Sequence, residues 1–153
     1  MKGFILKRPL PIETRTAIEA TTRDLLPETA ELLQQGLPAI SLNTHNALST
    51  AVQNDLNPIL GPAQHIVALA QPNDIVFGIS TSGNAKNVAL ALSVAKALKL
   101  KTIGLTGKSG GMLKSLCDCC IVVPKNNTAD IQERHLPIYH ALCAMLEANF
   151  FAE

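Results

Sequence analysis

Four short apolar runs recur along the chain, and longer segments separate them. The runs show little alternation between apolar and polar residues, which is typical of parallel strands that are covered on both faces. They occupy residues 39–42, 75–80, 102–106 and 120–123. We expect these four runs to form strands of one sheet.

Three segments have apolar residues at the spacing of a helix. They cover residues 57–70, 84–98 and 130–151, between or after the predicted strands. The segment at 84–98 is apolar almost all round, so we expect this helix to be deeply buried. Alternating strands and helices predict right-handed βαβ units, and therefore an α/β fold in which helices flank a parallel sheet as a three-layer α-β-α sandwich.

The first 36 residues follow a different pattern. Proline at positions 9, 11 and 27 and glycine at position 36 interrupt them, and only residues 28–35 resemble a short helix. We therefore predict an N-terminal arm with a short helix over residues 1–36, and a folded domain over residues 37–153.

Composition is that of one globular domain with a core: 153 residues, 47% hydrophobic and 16% charged. A net charge of +1 and an aromatic content of 3% argue against a nucleic acid as an obligatory partner. No apolar run reaches membrane-spanning length and no signal peptide is evident, so we expect a cytoplasmic protein. Cys117 and Cys120 form a CxxC beside an apolar strand, which favours reduced core thiols over a metal or redox pair.

The polar turn after the second apolar run carries the clearest chemical signal. Ser80, Thr81 and Ser82 are three consecutive hydroxyl residues, and Gly83 and Asn84 lead into the predicted helix. The first amides of a helix attract anions, and hydroxyl donors at the same place suit a phosphate group. The alternative is that Ser82 or Asn84 only caps the helix.

Other polar residues are less specific by themselves. The segment Gly107-Lys108-Ser109 lacks the spacing of a P-loop, so a loop after a strand is the better interpretation. Asn54 and Asp55 suit either a pair of ligands or a helix cap. Gln132 and His140 are eight residues apart on the last predicted helix, so they lie about 80° apart around it and roughly 12 Å apart along it.

Taken together, these motifs resemble the sugar isomerase (SIS) domain superfamily, and within it the phosphoheptose isomerases. The most specific elements are Gly-Ile-Ser-Thr-Ser-Gly-Asn at 78–84 and Ile-Gln-Glu-x-His at 131–135. Further similar segments are 36–41, 53–55, 74–87, 102–108 and 139–140. The resemblance implies a five-stranded parallel sheet, a homo-oligomer (dimer or tetramer), and interconversion of sedoheptulose 7-phosphate and heptose 7-phosphate.

The resemblance also implies roles for individual residues. Ser80, Thr81 and Ser82 would bind the substrate phosphate, and Asn54 and Asp55 would contact the sugar. Gln132 and His140 would be active-site residues and two of the zinc ligands, with His140 also active in proton transfer. These roles follow from the family likeness and not from spacing.

Two departures from the family pattern qualify this interpretation. Ala85 stands where the family often has serine, which removes one phosphate contact. The first strand of the family, its glycine-rich loop and the helix with the acid/base glutamate have no counterpart, so we expect an incomplete copy. A non-catalytic SIS module that binds a phosphosugar, or regulates a partner, is therefore the alternative function. Loss of a central strand also predicts a tight oligomer or a chain of low stability.

Overall fold

The computed structural model describes residues 8–151, which fall into two units. The first unit comprises residues 8–40 and 139–151, and the second comprises residues 41–138. The last helix, α7 (Thr128–Phe150), begins in the second unit and ends in the first. Each unit is described by itself below.

The first unit is helical. Helix α1 covers Ile12–Thr22 and helix α2 covers Thr29–Leu32. An antiparallel bridge between Pro9 and Gln34 joins the segments on either side of them. The guanidinium of Arg8 also donates a hydrogen bond to the carbonyl of Phe151 at 3.0 Å.

The second unit contains the sheet and most of the remaining helices. Its elements, in chain order, are α3 (Asn46–Asp55), a 3-10 turn (Pro58–Leu60), α4 (Gly61–Leu69), β1 (Ile75–Ser80), α5 (Lys86–Ala97), β2 (Lys101–Thr106), α6 (Leu113–Leu116), β3 (Cys119–Val122) and the start of α7 (Thr128–Phe150). The strands form a parallel sheet in the order β1-β2-β3, with Ser80 opposite Thr106 and Thr106 opposite Val122. The carboxyl ends of all three strands therefore lie along one edge.

Small side chains allow the helices to approach the sheet and one another closely. Ala63, Ala91 and Ala95 form a core cluster with Ile66 and Leu100 where α4 packs on α5. A Cβ atom at Gly78 of β1 would lie 2.8 Å from the Cδ1 atom of Leu92 and 2.9 Å from a methyl group of Val88. Helix α5 thus packs directly on the backbone of β1.

The start of α7 is fixed to the end of β2. Ile131 is fully buried, and its side chain covers Gly107, where a Cβ atom would approach it to 2.5 Å. One turn later, the Nε2 atom of the buried His135 lies 3.2 Å from the carbonyl oxygen of Thr106. His135 therefore has a structural hydrogen bond. The loop that follows β2 begins at Gly107, directly under the first turns of α7.

Three of the four predicted strands are confirmed, and the strand predicted at residues 39–42 is wrong. These residues have no strand partner in the part of the chain that the structure describes. Ile40 is exposed, whereas Leu42 packs on the core cluster of α4 and α5. An apolar run without a neighbouring strand has no ladder to join, so apolarity alone does not make it a strand.

The prediction that both faces of the strands are covered holds better for β2 than for β1. In β1 the side chains of Ile75, Phe77 and Ile79 are 60%, 38% and 47% exposed, whereas Gly78 and Ser80 are buried. Helix α5 covers one face of β1, and the side chains on the other face remain largely accessible. The parallel sheet also has three strands there, compared with the five that the resemblance implies.

The helix predictions are confirmed in position, with differences in burial. Helix α5 buries Ala89, Ala91, Leu92 and Ala95, but its remaining residues are partly or fully exposed, so it is not buried all round. Helix α1 was not predicted, because it buries no residue and so lacks a regular apolar face. None of the helices in residues 8–151 combines the length and apolarity that a membrane crossing requires.

Asp118 joins the beginning of β3 to the beginning of β2. Its carboxylate accepts hydrogen bonds from the backbone N–H of Thr102 at 2.8 Å and from the Thr102 hydroxyl at 3.0 Å. The backbone N–H of Asp118 in turn donates to that hydroxyl at 3.0 Å. The backbone hydrogen bond, followed by the hydroxyl, lowers the pKa of the Asp118 carboxyl.

We predict that Asp118→Asn reduces the dependence of stability on acid pH. The folded-state pKa lies below the usual value of 3.8, so the carboxylate stabilises the fold above that pH. This contribution is lost as the pH falls through the folded-state pKa. Thermal unfolding at about pH 6 and about pH 3 should show a smaller change in Tm for the variant than for the parent chain.

Asp24→Asn is the control, because Asp24 is exposed and makes no hydrogen bond or ion pair among the described residues. Between the same two pH values, the Tm of Asp24→Asn should change by as much as the Tm of the parent chain. An Asp118→Asn variant that also behaves as the parent would contradict the assignment.

Candidate functional site

The site is built around the turn between β1 and α5. Ser80 is buried at the end of β1, Thr81 and Ser82 are half-buried, and Asn84 is exposed. Within residues 8–151, neither the Ser80 hydroxyl nor the Thr81 hydroxyl makes a hydrogen bond. Two hydroxyl donors therefore remain for a ligand at the carboxyl edge of the sheet.

Side chains of the turn do not cap α5. The Ser82 hydroxyl accepts a hydrogen bond from the N–H of Asn84 at 3.2 Å, and the Asn84 amide oxygen accepts one from the N–H of Met112 at 3.1 Å. The N-cap residue is Ala85, which has no capping side chain. The amides of Lys86, Asn87 and Val88 thus find no acceptor among the described residues. This arrangement contradicts the capping alternative and leaves the positive end of the helix dipole for an anion.

A second loop supports the first through direct backbone contact. Gly83 has a positive φ of 68°, and a Cβ atom there would lie 1.9 Å from the carbonyl oxygen of Gly110. Gly110 and Gly111 also have positive φ values, of 87° and 51°. The N–H of Gly107 donates to the carbonyl of Thr81 at 3.0 Å. Glycine is required here because the two backbones touch and adopt a conformation that other residues disfavour.

Three lysines give this edge of the sheet a positive charge. Lys86 follows β1, Lys108 follows β2 and Lys125 follows β3. The N–H of Lys108 donates to the carbonyl of Lys125 at 2.9 Å, which links the second and third loops. None of the three forms an ion pair within residues 8–151. Their charges are therefore available to an anionic ligand.

Comparison with known proteins identifies the family. A family model described as "SIS domain" matches residues 60–151, which is more than half of the chain. The chain belongs to the SIS domain family. Its parallel sheet and the turn after β1 are therefore those of a SIS domain.

Relatives of this SIS domain include phosphoheptose isomerases. The chain is 45% identical over 116 residues to the enzyme of Trichlorobacter lovleyi and 47% identical over 123 residues to that of Crocosphaera subtropica. These alignments cover 76% and 80% of this chain, but 59% and 63% of the relatives. The chain therefore spans about three fifths of the length of these relatives.

Two solved structures show the same fold. A phosphoheptose isomerase from Francisella tularensis superposes with a TM-score of 0.70 at 33% identity, over 87% of this chain and 68% of that one. The enzyme from Neisseria gonorrhoeae gives a TM-score of 0.68 at 32% identity, over 82% and 69%. The α/β fold predicted from the sequence is confirmed.

The other residues predicted for the site lie on separate elements of the SIS domain. Asn54 and Asp55 are the last two residues of α3 and both are exposed. Gln132 is exposed on α7 in the second unit, directly after the buried Ile131. His140 belongs to the first unit, where its ring contacts that of Tyr139 at 5.0 Å between centroids. Ser80, Thr81 and Ser82 share one turn, whereas Asn54 and Asp55 lie on α3 and Gln132 lies on α7.

None of the four cysteines forms a disulfide among residues 8–151, but the predicted burial is only partial, since three are half-buried and Cys119 is exposed. Cys117 and Cys120 are half-buried beside Gly104, where a Cβ atom would lie 2.9 Å and 3.1 Å from their sulfur atoms. Burial, and then the neighbouring Cys120, raise the pKa of the Cys117 thiol to about 11. A thiol with this pKa is a weak nucleophile at neutral pH.

Sequence reasoning missed the contribution of the loop after β2. Asn84 was considered as a cap, but its amide oxygen holds the N–H of Met112 across the two loops. The glycine pair 110–111 was the available signal, because adjacent glycines indicate backbone that must come close to something else. The partner that these two glycines approach depends on the parallel register of β1 and β2, which the local sequence does not reveal.

We predict that Gly83→Ala is strongly destabilising whereas Gly61→Ala is not. The new methyl group at position 83 would collide with backbone atoms of Gly110 at a positive φ, and backbone cannot move aside cheaply. A Cβ atom at Gly61 meets nothing within 4 Å, and that residue has helical φ and ψ. Urea unfolding should show a loss of at least about 2 kcal/mol for Gly83→Ala. Gly61→Ala should be neutral or stabilising by up to about 1 kcal/mol. Equal effects would disprove the close contact.

Proposed function

We propose that this SIS domain binds a phosphorylated sugar and has the chemistry of a phosphoheptose-type aldose–ketose isomerase. The substrate would be sedoheptulose 7-phosphate and the product heptose 7-phosphate. The observation that carries the proposal is the uncapped N-terminus of α5 beside the unpaired hydroxyls of Ser80 and Thr81. Similarity to phosphoheptose isomerases at 45–47% identity supports the choice of substrate.

Phosphate recognition would use both backbone and side chains. The amides of Lys86, Asn87 and Val88 would donate to phosphate oxygens, together with the hydroxyls of Ser80, Thr81 and Ser82. Ser82 can still donate, because its oxygen only accepts from Asn84 in the structure. Ala85 supplies no hydroxyl, so the site would rely on the remaining donors and on nearby lysine charge.

Sugar binding and proton transfer would involve residues outside this turn. Asn54 and Asp55 would contact sugar hydroxyls. Isomerisation moves one proton from C1 of the ketose to C2 of the aldose through an enediol, with a second proton moving between the two oxygens. His140 would carry one of these protons, since an imidazole can donate and accept near neutral pH. Gln132 would orient the substrate by hydrogen bonding.

Zinc does not fit the described residues by themselves. The resemblance implies Gln132 and His140 as two ligands, and catalytic zinc sites use three protein ligands and water. No group of three or more His, Cys, Asp or Glu side chains in residues 8–151 could hold a metal. Our proposal therefore assigns no proton transfer to a metal, and zinc is a variable in the assay below.

A second function deserves equal testing because of one observation. The chain spans about three fifths of the relatives' length, and the donors that lie together in its structure are those of the turn after β1. A SIS module that binds a phosphosugar without turning it over would need only the turn after β1. In either function we propose a SIS domain over residues 37–153 preceded by an arm over residues 1–36. We also propose a reducing, cytoplasmic location, which the absence of disulfides among residues 8–151 supports.

We also propose that the chain forms a homo-oligomer through the uncovered side of β1. The outer edge of β1 has no strand partner among residues 8–151, and Ile75, Phe77 and Ile79 present an apolar surface beside it. The strand contains no charged residue and no proline, so nothing in it discourages pairing with another chain. A dimer or tetramer that covers this surface would remove apolar area from water.

Binding of sedoheptulose 7-phosphate tests the phosphate site. Calorimetry should show at least tenfold weaker binding to a Thr81→Val, Ser82→Ala double variant, because hydrogen bonds to a charged group contribute about 1.5–3 kcal/mol each. Ser49→Ala, a serine on α3 outside the turn, should bind as the parent does. Unphosphorylated sedoheptulose should not compete. Equal binding by the double variant and Ser49→Ala would refute the site.

Turnover separates the two functions. NMR of the same sugar phosphate, with and without added zinc, should show isomerisation that His140→Ala abolishes without weakening binding more than severalfold. Binding without turnover in the parent chain would favour the module. If the parent chain shows no binding and no turnover, both functions are contradicted.

Oligomerisation is tested with two matched substitutions. Ile75 on β1 and Val67 on α4 are each 60% exposed and β-branched. We expect Ile75→Lys to shift the parent oligomer toward monomer in sedimentation velocity, because a lysine would place a charge in the apolar contact. Val67→Lys should leave the distribution unchanged. A monomeric parent at all concentrations would contradict the proposal.

A further inference from the structure

A buried histidine on α4 has no place in the proposed chemistry. His65 has 0% of its surface exposed, and neither of its ring nitrogens has a hydrogen-bond partner in the part of the chain that the structure describes. Buried polar atoms are usually satisfied, so an imidazole with two unpaired nitrogens calls for an explanation. An imidazole in its neutral form has one nitrogen that donates and one that accepts.

A second histidine lies beside it. The ring of His45, in the residue before α3, has its centroid 5.2 Å from that of His65, with the planes tilted by 41°. His45 is exposed, so this pair connects a buried nitrogen-bearing ring to the surface. Both residues belong to the second unit.

The separation of the rings suits a shared metal ion. A zinc–nitrogen bond is about 2 Å long, so two imidazoles that bind one tetrahedral ion have ring centroids roughly 5 Å apart. The observed distance agrees with this value. Imidazole is a good ligand for Zn²⁺, Ni²⁺ and Cu²⁺, whereas Mg²⁺ and Ca²⁺ prefer oxygen.

We propose that His45 and His65 form a binding site for a divalent transition metal of the zinc, nickel and copper class. The pair supplies two protein ligands, because no larger group of His, Cys, Asp or Glu in residues 8–151 could join them, and water completes the coordination. The site uses neither Gln132 nor His140 as a ligand and does not depend on the proposed function.

The consequence of binding is mechanical. His45 precedes α3 and His65 lies in the middle of α4, so one ion would join the two helices. Helix α3 ends in Asn54 and Asp55, and it buries only Val52. A helix with so little buried surface gains more from an added link than a well-packed one does. Metal binding to the folded state alone also raises its stability by mass action.

Zinc titration of the full chain tests the proposal. In NMR spectra of the imidazole rings, the His45 and His65 signals should shift together as Zn²⁺ is added, and Tm should rise. Mg²⁺ should produce neither effect. His45→Ala, at an exposed position that leaves the fold intact, should weaken zinc binding at this site at least about tenfold. His65→Gln should do the same where circular dichroism shows a native fold.

Controls assign the binding to this pair. His140→Ala should retain the ring shifts and the rise in Tm, and His45→Ala retains all four cysteines and His140. Unchanged zinc binding and an unchanged rise in Tm in His45→Ala would overturn the proposal. The absence of any shift of the two ring signals in the parent chain would overturn it equally, and would leave the pair as a simple ring contact.

Discussion

Strand β2 hydrogen-bonds to β1 on one side and to β3 on the other, and both pairs run parallel. Because of this register, the loops that follow the three strands leave the sheet along one edge. The turn after β1, the loop after β2 with Gly110 and Gly111, and the loop after β3 with Lys125 can then contact one another. If one strand were antiparallel, its loop would leave at the opposite end, and the hydrogen bond between Gly107 and Thr81 could not form.

Close backbone approach is the second condition for this site. Gly83 lies against Gly110, Gly78 lies under Leu92, and Gly107 lies under Ile131. In each case a missing side chain lets one layer approach another closely. Alanines between α4 and α5 likewise allow these two helices to pack closely. These contacts hold the backbone of the turn in one conformation, so the directions of its amide donors are set by the fold.

Much of the second unit could be predicted from the sequence. The strand at 75–80 was predicted with the observed bounds, because it is apolar and a cluster of hydroxyls ends it. The run at 39–42 was equally apolar but formed no strand, since pairing depends on a neighbour that local sequence does not reveal. Helix α1 was not predicted because its few apolar residues form no buried face, although Pro11 and the Arg15–Glu19 pair are compatible with a surface helix.

The types of residue in the candidate site could be predicted from the sequence, but the contacts between its loops could not. Ser80 to Asn84 were identified by hydroxyl density and position, whereas the role of Asn84 as a link to Met112 required three dimensions. The pairing of His45 with His65 is similar. Twenty residues separate them, and only the packing of α3 and α4 brings the rings together.

The half-buried Cys117 bears on how the protein behaves under oxidative stress. With a pKa of about 11, only about one Cys117 in ten thousand is a thiolate at pH 7. Peroxides attack thiolates, so Cys117 should survive brief exposure to an oxidant that inactivates enzymes with acidic cysteines. Cys117 is thus a poor candidate for a redox sensor, although it lies in a CxxC motif.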